Sequence, residues 1–99
     1  MNINEMMKQA QMMQERLQKQ MTDMRVEGAA GGGMVVVTVN GNKSLLSIRL
    51  DPEVVSKEDV AMLQDLIVAA TNDAHRKVDQ SLASSMQALT GGMKIPGLS

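Results

Sequence analysis

The chain has 99 residues, enough for one hydrophobic core, so we expect a single domain over residues 1–99. Ten Lys and Arg against eleven Asp and Glu give a net charge of −1, without the basic excess typical of nucleic-acid-binding domains. With no Cys, one His and no Phe, Trp or Tyr, the composition excludes disulfide frameworks, multi-histidine metal sites and aromatic stacking platforms for single strands.

The N-terminal segment is predicted to form a helix over residues 4–24 that begins with Asn4 as its N-cap. Its apolar residues recur in alternating steps of three and four, broken at Gln20, whereas the opposite face carries Gln, Lys, Glu and Arg. This spacing is typical of a helix that packs along a second helix. The seam consists of Ile3, Met6, Ala10, Met13, Leu17 and Met24.

Residues 25–50 change to the alternating pattern of strands, and we predict three antiparallel strands there. The run GAAGGG at residues 28–33 favours a mobile connection between strands. Asn40-Gly41 favours a tight hairpin, because both residues tolerate positive φ. The middle strand, MVVVTV, is apolar on both faces and should therefore be covered on both.

A second helix is predicted over residues 57–89, with Ser56 as its N-cap and Asp59 three residues later, as in a capping box. Gly91-Gly92 should end it, and residues 91–99 should form a flexible tail. Its apolar stripe comprises Val60, Leu63, Ile67, Ala70, Ala74, Val78, Leu82, Met86 and Leu89.

The second helix is too long for a compact domain of this size. It would extend about 50 Å, whereas a 100-residue domain has a radius of gyration of about 13 Å. Its distal half should therefore project from the body. A second chain is then needed to cover its apolar stripe and the strand that is apolar on both faces. We predict an α+β fold of order α-β-β-β-α, with a three-stranded antiparallel sheet and two long projecting helices, that forms a homodimer. The residues expected to pack in the core or the dimer are Val35, Val37, Val39, Leu46, Ile48, Leu63, Ile67 and Ala70.

No pattern for catalysis, metal binding or cofactor binding emerges. The glycine cluster lacks the Lys-Ser/Thr that follows a phosphate-binding P-loop. His75 fits a surface or interface position, and Asp65, Asp73 and Asp79 lack the spacing of a metal loop. We therefore expect no enzyme activity, no metal and no cofactor.

The apolar residues are too scattered to cross a membrane, since no apolar run approaches 18 residues. The N-terminal MNINEMMKQAQ lacks the basic and apolar regions of a secretory signal. We expect a cytoplasmic location and no membrane partner.

The charges are unevenly distributed along the chain. Residues 51–75 carry one basic and six acidic groups, so the cations concentrate on helix 1 and the later part of helix 2. From charge alone, an ordinary solvated surface explains these cations better than a phosphate-binding surface does.

The order of motifs resembles the YbaB/EbfC family of small bacterial nucleoid-associated proteins. The residues that carry this resemblance are MMKQAQMMQERL (Met6–Leu17), VEGAAGGGMVVVTVNG (Val26–Gly41), LSIRLDPEVV (Leu46–Val55), EDVAMLQDLIVAATNDAHRK (Glu58–Lys77) and TGGMKIPG (Thr90–Gly97). Thr71 is a departure, because an aromatic residue is expected there in relatives. This difference bears on how the dimer packs at residue 71 and not on the resemblance to the family.

The resemblance implies a homodimer with helical arms that binds double-stranded DNA, organises the chromosome and regulates genes, and is associated with the nucleoid. Carried over to this chain, the DNA-binding positions are Lys8, Arg16 and Lys19 on helix 1 and Arg76 and Lys77 on helix 2. The alternative is a scaffold for recombination or replication proteins, with incidental DNA contact, which the acidic balance and the Met-rich helix 1 favour.

Overall fold

The computed structural model describes residues 2–90. Its elements, in chain order, are helix α1 (Ile3–Asp23), strands β1 (Val26–Ala30), β2 (Val35–Val39) and β3 (Leu45–Leu50), a 3-10 turn (Pro52–Val54) and helix α2 (Val60–Thr90). The strands form one antiparallel sheet in the order β1-β2-β3. This arrangement confirms the predicted α-β-β-β-α fold. None of the helices within the described range combines the length and hydropathy needed to span a bilayer.

Glycines make the connection between β1 and β2. Gly31, Gly32 and Gly33 all have positive φ, at 64°, 69° and 94°, a conformation that residues with a Cβ rarely adopt. Gly28, by contrast, lies inside β1 opposite Val37. The predicted connection therefore begins three residues later than the glycine cluster does.

The hairpin between β2 and β3 is confirmed, but its turn differs from the predicted one. Asn40 anchors it with its side chain, whose Oδ1 accepts from the backbone N–H of Asn42 at 2.9 Å and of Ser44 at 3.0 Å. The left-handed residue is Lys43, with φ 64°, and not Gly41. The loop is longer than a two-residue turn, since the backbone N–H of Lys43 donates to the Asn40 carbonyl at 3.0 Å and that of Asn40 to the Ser44 carbonyl at 3.1 Å, and the Asn40 side chain adds its own bonds to these.

The core lies between one face of the sheet and α2, which packs on β1 and β2. Val35, Val37 and Val39 alternate with half-buried Val36 and Thr38 along β2. Their partners on α2 are small or β-branched, which lets the helix lie close to the strands. The buried residues of α2 are Ala70, Ala74 and Val78.

The other predicted packing residues are less buried in the single chain. Leu63 and Ile67 are partly buried against the core. Leu46 and Ile48 of β3 are 45% and 43% exposed, because α2 covers β1 and β2 and leaves β3 uncovered. The sequence pattern assigned them to a packed face without distinguishing packing within one chain from packing between two.

α1 projects from the body, and none of its residues is buried. It is attached at its C-terminal end, where the backbone N–H of Gly41 donates to the carbonyl of Met21 at 2.8 Å. A Cβ at position 41 would lie 2.9 Å from that carbonyl oxygen, so glycine permits the approach. The radius of gyration is 19.3 Å and the molecule extends 67 × 34 × 15 Å, in keeping with projecting helices.

Both helices begin at residues other than those predicted. Asn2, and not Asn4, caps α1 by accepting from the N–H of Asn4 at 3.1 Å. Ser56 instead closes a turn before α2, where its carbonyl accepts from Asp59. Asp59 then accepts the first bond of the helix, from Leu63 at 3.2 Å. The predicted Gly91-Gly92 terminus and the 91–99 tail lie outside the described residues.

Candidate nucleic-acid interface

The predicted cations of α1 share one exposed face. Lys8, Arg16 and Lys19 are separated by eight and three residues, which places them on the same side of a 3.6-residue helix. Within residues 2–90, none of the three lies in a salt bridge with a carboxylate. Their charges are therefore available to an anion outside the chain.

The predicted cations of α2 are instead tied to a neighbouring carboxylate. Asp73 lies 3.2 Å from Lys77 Nζ and 3.4 Å from Arg76 Nη2. Lys77 also donates to the carbonyl of Glu27 at 3.2 Å, and Asp73 accepts from the backbone N–H of Ala29 at 3.0 Å. Asp73 and Lys77 thus satisfy backbone groups on the outer edge of β1, where a sheet would otherwise be open to a further strand.

These contacts change the acidity of Asp73. The backbone N–H of Ala29, and then the ammonium of Lys77, lower the pKa of Asp73 below its usual value of 3.8. Both stabilise the ionised form, and this outweighs the opposing effect of partial desolvation. The carboxylate therefore remains charged at neutral pH and partly neutralises Lys77 and Arg76.

The two predicted groups of cations thus have different environments. No hydrogen bond or ion pair joins Lys8, Arg16 or Lys19 to Arg76 or Lys77 within the described chain. The structural role of Asp73 was not among the predictions from the sequence. Its spacing of three and four residues before Arg76 and Lys77 was the available signal.

Other exposed parts of the chain are apolar. Leu45 and Ile48 of β3 are exposed, and β3 is an edge strand with no further strand beside it in residues 2–90. His75 is half-buried on α2, and its Nε2 is buried without a hydrogen-bond partner within those residues. Leu45, Ile48 and the exposed seam of α1 leave apolar side chains open to solvent.

Comparison with known proteins identifies the family. Residues 1–93 match the YbaB/EbfC DNA-binding family. A nucleoid-associated protein of Koribacter versatilis is 52% identical over 96 residues, covering 97% of this chain and 95% of the relative. One from Caldanaerobacter subterraneus is 51% identical over 100 residues, covering 98% of this chain and 90% of the relative.

A solved structure has the same fold. The crystal structure of an uncharacterized protein, HP0035, from Helicobacter pylori superposes with a TM-score of 0.62 at 23% identity, over 82% of this chain and 94% of that one. The family match and the relatives, and not this structure, confirm the resemblance inferred from the motifs and the expectation that the protein is not an enzyme. The chain belongs to the YbaB/EbfC family of nucleoid-associated DNA-binding proteins.

Proposed function

We propose that the protein binds double-stranded DNA as a homodimer, mainly through contacts between its helical arms and the phosphate backbone, and thereby organises the chromosome and influences gene expression. Membership of a nucleoid-associated DNA-binding family accounts for DNA binding and for association with the nucleoid. The dimer, the phosphate contacts and the regulatory role are the further steps of this proposal.

The cationic face of α1 is the observation that carries the DNA-binding surface. Lys8, Arg16 and Lys19 project on a helix without buried residues and are not neutralised by carboxylates within residues 2–90. Cations that contact phosphates release condensed counterions from DNA, and this release favours binding without regard to sequence. Because phosphate contacts carry no sequence information, we expect low sequence specificity. Because the cations are few, we expect modest affinity.

The uncovered apolar surface supports the homodimer. The seam of α1 and the exposed side of β3 would both be removed from water by a second copy of the chain. The outer edge of β1 is already occupied by Asp73 and Lys77, whereas β3 remains available as an edge. A dimer would place two cationic arms around one duplex.

The proposal is tested by measuring mass and DNA binding on the same sample. Light scattering after size exclusion should give twice the chain mass. A mobility-shift titration with labelled duplex should show binding that unrelated competitor DNA removes. A stable monomer in dilute solution would overturn the dimer, and no shift at low salt would overturn DNA binding.

The second candidate is a scaffold for recombination or replication proteins. The exposed apolar seam of α1, which includes Met6, Met13 and Leu17, favours it, because Met-rich helix faces accept partner helices. A pull-down that retains one such protein after nuclease treatment would support this candidate. If nuclease treatment removes every partner, the scaffold is refuted and DNA binding remains as the proposed function.

A further inference from the structure

An open cleft lies on the body of the molecule, between the start of β1 and the middle of α2. Its volume is about 540 Å³, within the range of ligand-binding clefts in proteins. Its polar lining consists of Arg25, Glu27, Lys77, Gln80, Ser81 and Ser84. The lining therefore includes two cations, two hydroxyls and one carboxylate, and Asp73 lies 3.2 Å from the Lys77 Nζ without lining the cleft.

The two cations are held in place and keep donors for a ligand. Arg25 uses Nη1 to donate to the carbonyls of Thr22 at 2.8 Å and Met24 at 3.0 Å, and neither bond uses Nη2 or Nε. Lys77 has three N–H donors, and its bonds to Asp73 and to the Glu27 carbonyl account for two of them. Positioning by the chain reduces the entropy that each cation would lose on binding an anion.

The hydroxyls come from the same flank of α2 as Lys77. Ser81 and Ser84 follow Lys77 by four and seven residues, so all three side chains lie along one side of the helix. Leu82 belongs to the apolar stripe on another side. The cleft thus lies on a different side of α2 from the stripe that packs against the core.

We propose that this cleft binds one phosphate group of the DNA backbone, with Arg25 and Lys77 as the cationic contacts and Ser81 and Ser84 as hydroxyl donors. The proposal rests on the proposed function and extends the DNA-contacting surface from the arms to the body. Guanidinium, ammonium and hydroxyl groups are the donors that proteins commonly present to phosphates. Val26 is the one apolar residue of the lining, so the cleft offers no platform for a nucleobase. This favours a backbone phosphate over a free nucleotide.

The site is tested with substitutions that should weaken duplex binding and with one that should tighten it. Duplex affinity is measured by fluorescence anisotropy. Ser81→Ala with Ser84→Ala leaves the net charge unchanged and should weaken binding about fivefold. Arg25→Gln should weaken it about tenfold and reduce the slope of log K against log salt by about 0.9. Glu27→Gln should tighten binding, because it removes the carboxylate that faces the phosphate.

Matched controls separate this site from the effect of total charge. Arg49→Gln and Glu53→Gln make the same charge changes at exposed positions outside the cleft. If Arg25→Gln and Arg49→Gln weaken binding equally and the double serine variant binds like the parent, the site is overturned while the proposed function stands. A parent that binds no duplex would refute both.

A competition experiment distinguishes the two sources of phosphate. Adenosine monophosphate and inorganic phosphate are added separately, at millimolar concentration, to the preformed complex with duplex DNA. Equal and weak competition by the two supports a site for backbone phosphate. Displacement by the nucleotide alone would identify a nucleotide site and overturn the proposal.

Discussion

Gly28 of β1 lies directly against Ala74 of α2. A Cβ at position 28 would lie 2.7 Å from the Ala74 Cβ and would overlap the backbone carbonyl oxygen of Ala70 and the backbone nitrogen of Ala74. Backbone atoms cannot rotate away as a side chain can, so β1 and α2 approach this closely only because residue 28 is glycine.

Gly28→Ala should therefore separate the helix from the sheet and lower the free energy of unfolding by about 3 kcal/mol. Urea unfolding followed by circular dichroism measures this change. The control is Gly32→Ala, which meets no atom within 4 Å but has φ 69°. It should cost about 1 kcal/mol, from backbone strain alone. Equal effects at the two positions would contradict the packing role of Gly28.

Ile48→Glu should dissociate the proposed homodimer. Ile48 shares the helix-covered face of the sheet with Val37 but is 43% exposed, so a charge there would be buried by a second copy and not by its own chain. Light scattering should show the mass of one chain. Ser47→Glu is the control on the other face of β3, and it should remain dimeric. A dimeric Ile48→Glu variant would exclude this face from the interface.

Arg16→Ala with Lys19→Ala should weaken duplex binding for every sequence tested and reduce the slope of log K against log salt by about 1.8, since each phosphate contact contributes about 0.9. Titrations at several salt concentrations provide both quantities. The matched control, Arg49→Ala with Lys57→Ala, removes two exposed cations outside α1. If the control weakens binding as much, total charge and not the face of α1 determines the affinity.

Asp73→Asn should reduce stability at neutral pH. Because the pKa of Asp73 is lowered on folding, the stability contributed by its ionised form is present above its usual value of 3.8 and is lost as pH falls through the lowered folded value. The difference in unfolding free energy between parent and variant should be constant above about pH 5 and shrink below pH 4. The control is Asp65→Asn, at a carboxylate that forms no salt bridge in residues 2–90, and it should leave stability at neutral pH nearly unchanged. A difference that persists unchanged in acid would exclude the ion pairs as its source.

Lys43→Gly should be more stable than Lys43→Ala by about 1 kcal/mol. Both variants lose the exposed ion pair between Lys43 and Asp79, which are 2.8 Å apart, so this loss cancels in the comparison. They differ in the strain of a residue with φ 64°. Thermal unfolding of the two variants measures the difference. Equal stabilities would indicate that the turn relaxes without strain.

Local sequence signals predicted the elements better than their ends. Ser56 and Asp59 are both good N-caps, and periodicity alone does not decide between them. The structure uses Ser56 in the preceding turn and begins α2 at Val60. Likewise, Asn40-Gly41 predicted the hairpin, but the bonds of the Asn40 side chain selected a longer turn with Lys43 as its left-handed residue.

The sequence predicted which residues form the candidate site, but it predicted only part of what surrounds them. Lys8, Arg16 and Lys19 share a face because helical spacing is a local property. Whether a cation is neutralised depends on its neighbours in space. The spacing of Asp73 and Lys77 on one helix is compatible with their ion pair, whereas the bonds of Lys77 to Glu27 and of Ala29 to Asp73 join distant segments and were not visible in that spacing.

The amino-acid sequence by itself determined the order of helices and strands, the faces of α1 and the family, because periodicity and motif order are properties of neighbouring residues. Only the tertiary structure decided that Gly28 admits the close approach of α2, that Asp73 blocks the edge of β1 and that β3 stays uncovered. These depend on contacts between segments more than 40 residues apart, such as Ala29 with Asp73, and such contacts exist only once the chain has folded.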